Sequence, residues 1–177
     1  MKFPDPRLKK VCAPVTVFDD NLRVLSDDLL ETMYAAPGIG LAASQIGVLQ
    51  RVLVMDCDKQ SESRNPKVLV NPKITWSSPE KRVHEEGCLS IPETFAEISR
   101  SEKVKVSYKE LTGEDNEETF TDLWSTCVQH EIDHLDGKLF IDYLGAVKRG
   151  LIVNKMKKLK REQIKDQKQN KKAKGSP

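Results

Sequence analysis

Gln129-His130-Glu131-Ile132-Asp133-His134 carries two histidines four residues apart, with a glutamate directly after the first. On an α-helix, residues i and i+4 stand one above the other, so both imidazoles can reach a single ion. Glu131 then sits one step round the helix, beside the ion's open position, placed to take a proton from water there. The flanks predict the helix itself: Thr121 or Asp122 offers an N-cap, and Gly137 stands where a C-terminus belongs. Between them Leu123, Cys127, His130 and His134 recur at intervals of four, three and four, the core-facing stripe of an amphipathic helix. Histidines on a buried stripe need partners, and a metal supplies one. The competing reading is a pair of hydrogen-bonded core histidines.

A catalytic site of this type keeps three protein ligands and one open position. A third histidine six residues after the second is ruled out, because Phe140 stands there. A downstream glutamate is also unsuitable: none occurs between His134 and Glu162, and Glu162 lies in a basic tail. The remaining strong candidate lies upstream, in Glu85-Glu86-Gly87-Cys88-Leu89-Ser90-Ile91-Pro92. A Cys88 thiolate is a soft ligand for zinc or ferrous iron, and a bound metal lowers the thiol pKa enough to deprotonate it. Cys127 is the rival, three residues before His130 on the same stripe, where a small buried hydrophobe is its ordinary role. The four cysteines, Cys12, Cys57, Cys88 and Cys127, contain no C-x-x-C pair and follow no secretory signal. A disulfide framework or four-cysteine zinc site is therefore not expected.

Working outward, Ser26 to Ala36 places Leu29, Leu30 and Met33 at helical spacing, ended by Pro37-Gly38. Arg51 to Asp56 and Val68 to Asn71 read as strands, with Ser61 to Pro66 a polar turn. Lys103 to Leu111 alternates through Val104, Val106 and Tyr108, and Thr112-Gly113 turns it into Glu118-Thr119-Phe120, a hairpin beside the metal helix. Strands first and the main helix after predict an α+β domain, antiparallel sheets packed around a central HExxH-bearing helix, with a C-terminal helix. At 177 residues the chain is long enough to bury a core in one domain.

Three motifs in order resemble those of the peptide deformylases. Gly38-Ile39-Gly40-Leu41-Ala42-Ala43-Ser44-Gln45 is similar to GxGxAAxQ, Glu86-Gly87-Cys88-Leu89-Ser90 to EGCLS, and Gln129 to His134 to QHExDH. The resemblance covers about Pro4 to Tyr143. It implies hydrolysis of the N-formyl group from the formylmethionine of nascent polypeptides, releasing formate. It implies Cys88, His130 and His134 as ligands and Glu131 as the base, with the Gln45 side chain and the Leu89 backbone as oxyanion donors. Gly40 and Gly87 would bond the substrate backbone as an added strand, and Ile39 would line the first side-chain pocket. Ferrous iron is implied as the native ion, with zinc, nickel or cobalt able to substitute. Departures are Phe95, where some members carry arginine, and His84, where an aliphatic residue is frequent; His84 borders the pocket or is simply a half-exposed strand residue. Two other classes stay open: an amidase for a different acyl group, and a binding protein with a structural metal. A general base and an oxyanion donor argue against the latter.

The C-terminal segment differs in kind. From Lys148 to Pro177 there are twelve lysines and arginines against Glu162 and Asp166, so a body near −8 carries a tail near +10 beneath a net charge of +2. Residues 1–147 are expected to form the catalytic metallohydrolase domain and 148–177 a basic C-terminal helix and disordered tail. Leu151, Ile152, Lys155, Met156 and Leu159 give the helical spacing, and Lys168 to Pro177 lacks large apolar residues and is expected to be disordered. In an enzyme of nascent chains this tail suits ribosomal RNA, a polyanion bound through phosphates; a tail that only aids solubility is the alternative. Gly175-Ser176-Pro177 reads equally as native or as an added remnant. With 32% charged residues, no long apolar run and no visible signal peptide, a bacterial-type cytoplasm is expected, or an organelle matrix after processing.

Overall fold

The computed structural model describes residues 1–58 and 64–174, with side-chain surroundings described up to residue 165. Its elements are α1 (Asp20–Ala35), β1 (Gly40–Ala42), α2 (Ala43–Ile46), β2 (Val52–Met55), β3 (Lys67–Ser77), β4 (Lys81–Cys88), β5 (Ile91–Ser101), β6 (Lys103–Lys109), β7 (Asp115–Thr121), α3 (Asp122–Leu135) and α4 (Ala146–Lys174). Two antiparallel sheets result, one ordered β1-β2-β3-β6-β7 and the other the β4-β5 hairpin. The fold is α+β, as the sequence led one to expect.

Strand alternation explains the layers. In β2, Val52 and Val54 face the Leu22, Leu29 and Met33 stripe of α1, while Leu53 and Met55 face α3 through Cys127, Val128, Ile132 and Leu135. Successive side chains on a strand point to opposite faces, so one run of four apolar residues serves two helices. A third cluster joins β5 (Ile91, Ala96, Ile98) to Leu139, Phe140 and Ile141 and to Ile152 and Met156 of α4. The metal helix α3 is thereby held between the large sheet and the hairpin.

Several boundaries differ from expectation. Helix α1 begins six residues before Ser26, because Asp19 caps it by accepting from the Leu22 N–H, and Leu22 already joins the core. Strand β3 runs past Pro72 to Ser77; a register shift between Val70 and Lys73 takes up the proline, which has no N–H for the ladder. The hairpin β4-β5 and the short β1 were not anticipated. The expected turn Ser61 to Pro66 lies partly outside the described residues. Helix α4 continues to Lys174, beyond the expected end near Lys168, since Lys, Gln, Glu and Arg all sustain helix without a core; residues 175–177 lie outside the described residues. Among the described residues no helix is long and apolar enough to cross a membrane.

Candidate active site

Helix α3 leaves the end of β7 with Thr121 as its N-cap. Its inward face brings His130, Glu131 and His134 to the strand end that carries Cys88. Cys88 Sγ lies 3.2 Å from His134 Nε2. One ligand atom from each of Cys88, His130 and His134 falls within 4.8 Å of the others. A thiolate and two imidazoles at that spacing fit a single tetrahedrally bound divalent ion with bonds of about 2.0–2.3 Å. Cys127 does not join this group. Its contact with the Cys57 thiol, and burial, hold the Cys127 thiol well above its ordinary pKa, and its Sγ–H points to the Ile39 carbonyl at 3.4 Å. That is the chemistry of a protonated buried thiol.

A buried charge network stands behind the ligands, and sequence reading missed it. Glu86 Oε2 lies 2.8 Å from His130 Nδ1, which directs the other ring nitrogen of His130 to the ligand group. Arg100, only 4% exposed, donates to both Glu86 oxygens and to Asp133 Oδ2 at 2.8 Å. Tyr143 closes the network by donating its hydroxyl to the Asp133 carboxylate. Burial opposes the Glu86 charge, yet His130 and Arg100 outweigh it and lower the Glu86 pKa. The signal available in the sequence was Arg100 on the same strand face as the apolar Ala96 and Ile98. A charge on a buried face requires a partner.

Burial leaves Glu131 short of solvation and pushes its carboxyl up to about 7, against the lowering pull of His130 and Arg100. Its Oε2 is buried without a partner among the described residues. The other oxygen lies where a Cβ on Gly40 would come within 2.5 Å, so a side chain at 40 would drive the carboxylate out of place. His134 is also desolvated, which lowers its pKa well below the ordinary value and keeps it neutral, the form that ligates a metal. On His130 burial likewise favours the neutral ring, but Cys88 and Glu86 outweigh it and raise the pKa well above the usual range.

Gln45, 3% exposed, is the third residue of α2, and its side chain is fixed at both ends. Its Oε1 accepts the Ala42 N–H at 2.8 Å, and its Nε2 faces Ser90 Oγ at 3.2 Å and Cys88 Sγ at 3.7 Å. An open cavity of about 560 Å³ runs past these groups, lined by Ile39, Gly40, Gln45, Gly87, Cys88, Leu89, His130 and Glu131 among others. Each site residue expected from the sequence therefore borders one space, except His134, which is 1% exposed and lies behind Cys88. Phe95 stands at the rim, 62% exposed, its ring against Gly87. His84 also lines the cavity.

Comparison with known proteins gives a consistent result. The polypeptide deformylase family matches residues 1–150. A peptide deformylase of Phenylobacterium zucineum is 52% identical over 155 residues, covering 88% of this chain and 92% of that protein. One of Bartonella henselae is 48% identical over 159 residues, covering 90% of each. The crystal structure of a peptide deformylase from Legionella pneumophila superposes with a TM-score of 0.83 at 43% identity, covering 93% of this chain and 95% of that one.

Proposed function

The chain belongs to the peptide deformylase family and is a metal-dependent hydrolase of that kind, and we propose that its reaction is carried by Glu131, Gln45 and Leu89 around an ion held by Cys88, His130 and His134. The observation that supports this most is the convergence on that ligand group of a buried carboxylate with one free oxygen and an amide fixed at its far end. When bound, a divalent ion supplies Lewis acidity that lowers the pKa of water towards about 7.

Glu131, with its pKa near that of the medium, takes the proton from the attacking water and returns it to the departing amine. The formyl carbonyl oxygen becomes an oxyanion, to which Gln45 Nε2–H and the Leu89 backbone N–H donate. Because Ala42 already holds Gln45 Oε1, the amide need not reorganise as charge develops. Gly40 and Gly87 offer backbone to the substrate as an added strand, and Ile39 lines the pocket for its first side chain. The substrate is the N-formylmethionine of nascent polypeptides, and the products are formate and a free amino terminus. The resident ion is ferrous iron on the family resemblance; zinc, nickel and cobalt suit the same donors.

In this reading residues 1–147 make the catalytic unit, while the basic segment 148–177 meets ribosomal RNA, and the setting is the bacterial cytoplasm. Formate release from formyl-Met-Ala-Ser by anaerobically prepared, iron-loaded protein tests the reaction, with acetyl-Met-Ala-Ser as control. Release from the formyl peptide alone is expected. No release with iron demonstrably bound would overturn the assignment of roles, and equal release from both peptides would make the chain a general amidase.

A further inference from the structure

Outside the ligand group, two further cysteines stand together in the core. Cys57 follows β2 and Cys127 lies on the inner face of α3, and both belong to the cluster that joins the large sheet to that helix. Their thiols touch each other without an S–S bond. Both also turn to one acceptor, the Ile39 carbonyl, Cys57 Sγ at 3.9 Å and Cys127 Sγ at 3.4 Å. That carbonyl already accepts the Asp56 N–H at 2.9 Å, so it keeps a partner if both thiol protons leave. The pair is not sealed in. Cys127 forms part of the cavity wall, one helical turn before Glu131. Its Sγ and Glu131 Oε1 lie 2.7 and 2.5 Å from the same point, the place of a Cβ on Gly40.

We propose that Cys57 and Cys127 form a second, inhibitory metal site, which takes a soft divalent cation satisfied by two thiolates, the mercuric ion. The donors set the class of ion. Thiolates select soft cations. Zinc asks for four protein ligands in a structural site and three in a catalytic one. Among the described residues Cys88, His130 and His134 are the only three-donor group, so Glu131 is not near enough to both sulfurs to complete a set here. The pair therefore suits an ion that needs only two donors. Charge sets the valence. Each coordinating thiol gives up its proton, so two S–H bonds break, two S–Hg bonds form and two protons leave through the cavity. A divalent ion in place of two protons leaves the net charge unchanged. A monovalent ion such as Cu(I) would leave a buried negative charge beside the Glu131 carboxylate, at a large desolvation cost. The bound ion adds bulk between Gly40 and the turn that carries Glu131, and so displaces the base from the ligand group. The inhibition rests on the deformylase reading of Glu131; the binding does not.

The probe is mercuric chloride added to the zinc-loaded full chain, with mercury and zinc counted per chain after gel filtration in glutathione, a competing monothiol. The parent should hold one mercury and keep its zinc. Because both thiols grip one ion, loss of either should weaken binding by about 10²–10⁴-fold, read as the glutathione concentration that strips half of the mercury from the parent, from Cys57→Ser and from Cys127→Ser. Formate release from formyl-Met-Ala-Ser should fall with the first equivalent of mercury in the parent and survive it in Cys57→Ser. Mercury held equally by the parent and Cys57→Ser overturns the site. So does zinc that leaves in step with mercury entering, since the ion is then on Cys88. One mercury bound with turnover unchanged overturns the inhibition. If Cys57→Ser fails to fold, Cys57→Ala and Cys127→Ser make the same comparison. Counting mercury needs no turnover. A parent that binds one mercury through both cysteines, yet released no formate before mercury was added, upholds the site and removes the deformylase reading instead.

Discussion

At the level of the residue, the proposed base, Glu131, carries a cost that can be measured apart from turnover. Burial raises the Glu131 carboxyl from 4.5 to about 7, with His130 and Arg100 opposing it. A carboxyl whose folded pKa lies above its unfolded value holds its proton more tightly in the native chain. Its contribution is therefore complete below about pH 4.5 and is lost as pH rises through about 7. The shift corresponds to on the order of 3 kcal/mol between those limits. Glu131→Gln has nearly the same shape and no charge at any of these pH values. In metal-free protein that variant should exceed the parent in stability by about 2–3 kcal/mol at pH 8, the gap closing towards pH 4.5, as read from urea midpoints. A gap that does not change between pH 5 and pH 8 would show that the parent carboxylate is solvated and not held as described. The place of Glu131 beside the histidine pair was legible in five consecutive residues, because spacing on a helix is a local property. Its titration was not, because desolvation comes from Gly40, Cys127 and the sheet meeting around it in three dimensions.

Between elements, the two hairpins show both what could be read and what could not. The hairpin of β6 and β7 was visible because Val104, Val106 and Tyr108 alternate with polar residues and Gly113 turns at φ +90°. The β4-β5 hairpin was not, because the inward positions of β4 carry His84, Glu86 and Cys88, and on β5 Arg100 follows Ala96 and Ile98 on the buried face. Its register is fixed partly by charge, and a hydrophobic pattern does not report that. Arg100 is the joint of that layer, touching Glu86 and Asp133 at once. Removing the guanidinium leaves Glu86 with only His130 and Asp133 with only the Tyr143 hydroxyl, and breaking a buried pair this way typically costs about 3–5 kcal/mol. Arg100→Met should lose roughly that much stability. Loss of the Glu86–His130 orientation should also weaken metal retention by about 10–100-fold, measured by competition with a chelator. Glu86→Gln keeps the hydrogen bond to His130 while removing one charge, so it should retain more metal than Arg100→Met. The reverse order would mean that Arg100 does not act on the ligands through Glu86.

For the whole molecule, charge is divided between a body near −8 and a C-terminal segment near +10. Ile152 and Met156 seat the first turns of α4 in the cluster formed by Leu8, Ile98 and Phe140, and Lys155 Nζ bonds the Glu93 carbonyl at the cavity rim. Beyond Leu159 no residue of α4 contributes to that cluster among the described residues, and the sequence from Lys160 onward is strongly basic. Truncation after Leu159 removes seven basic and two acidic residues and leaves a formal net charge of −3. The truncated chain should keep its thermal midpoint and its turnover of a short formyl peptide, since neither the core nor the cavity is touched. Its affinity for ribosomal RNA should collapse, because an acidic body repels phosphate once the cationic segment is gone. In the full chain, log affinity should fall linearly with log salt, with a slope set by the number of phosphates neutralised. The truncated chain should show little binding and little slope. Equal RNA affinity for both chains at every salt concentration would assign the tail no part in binding. A truncated chain that also lost turnover of the short peptide would instead make the distal helix part of the catalytic body.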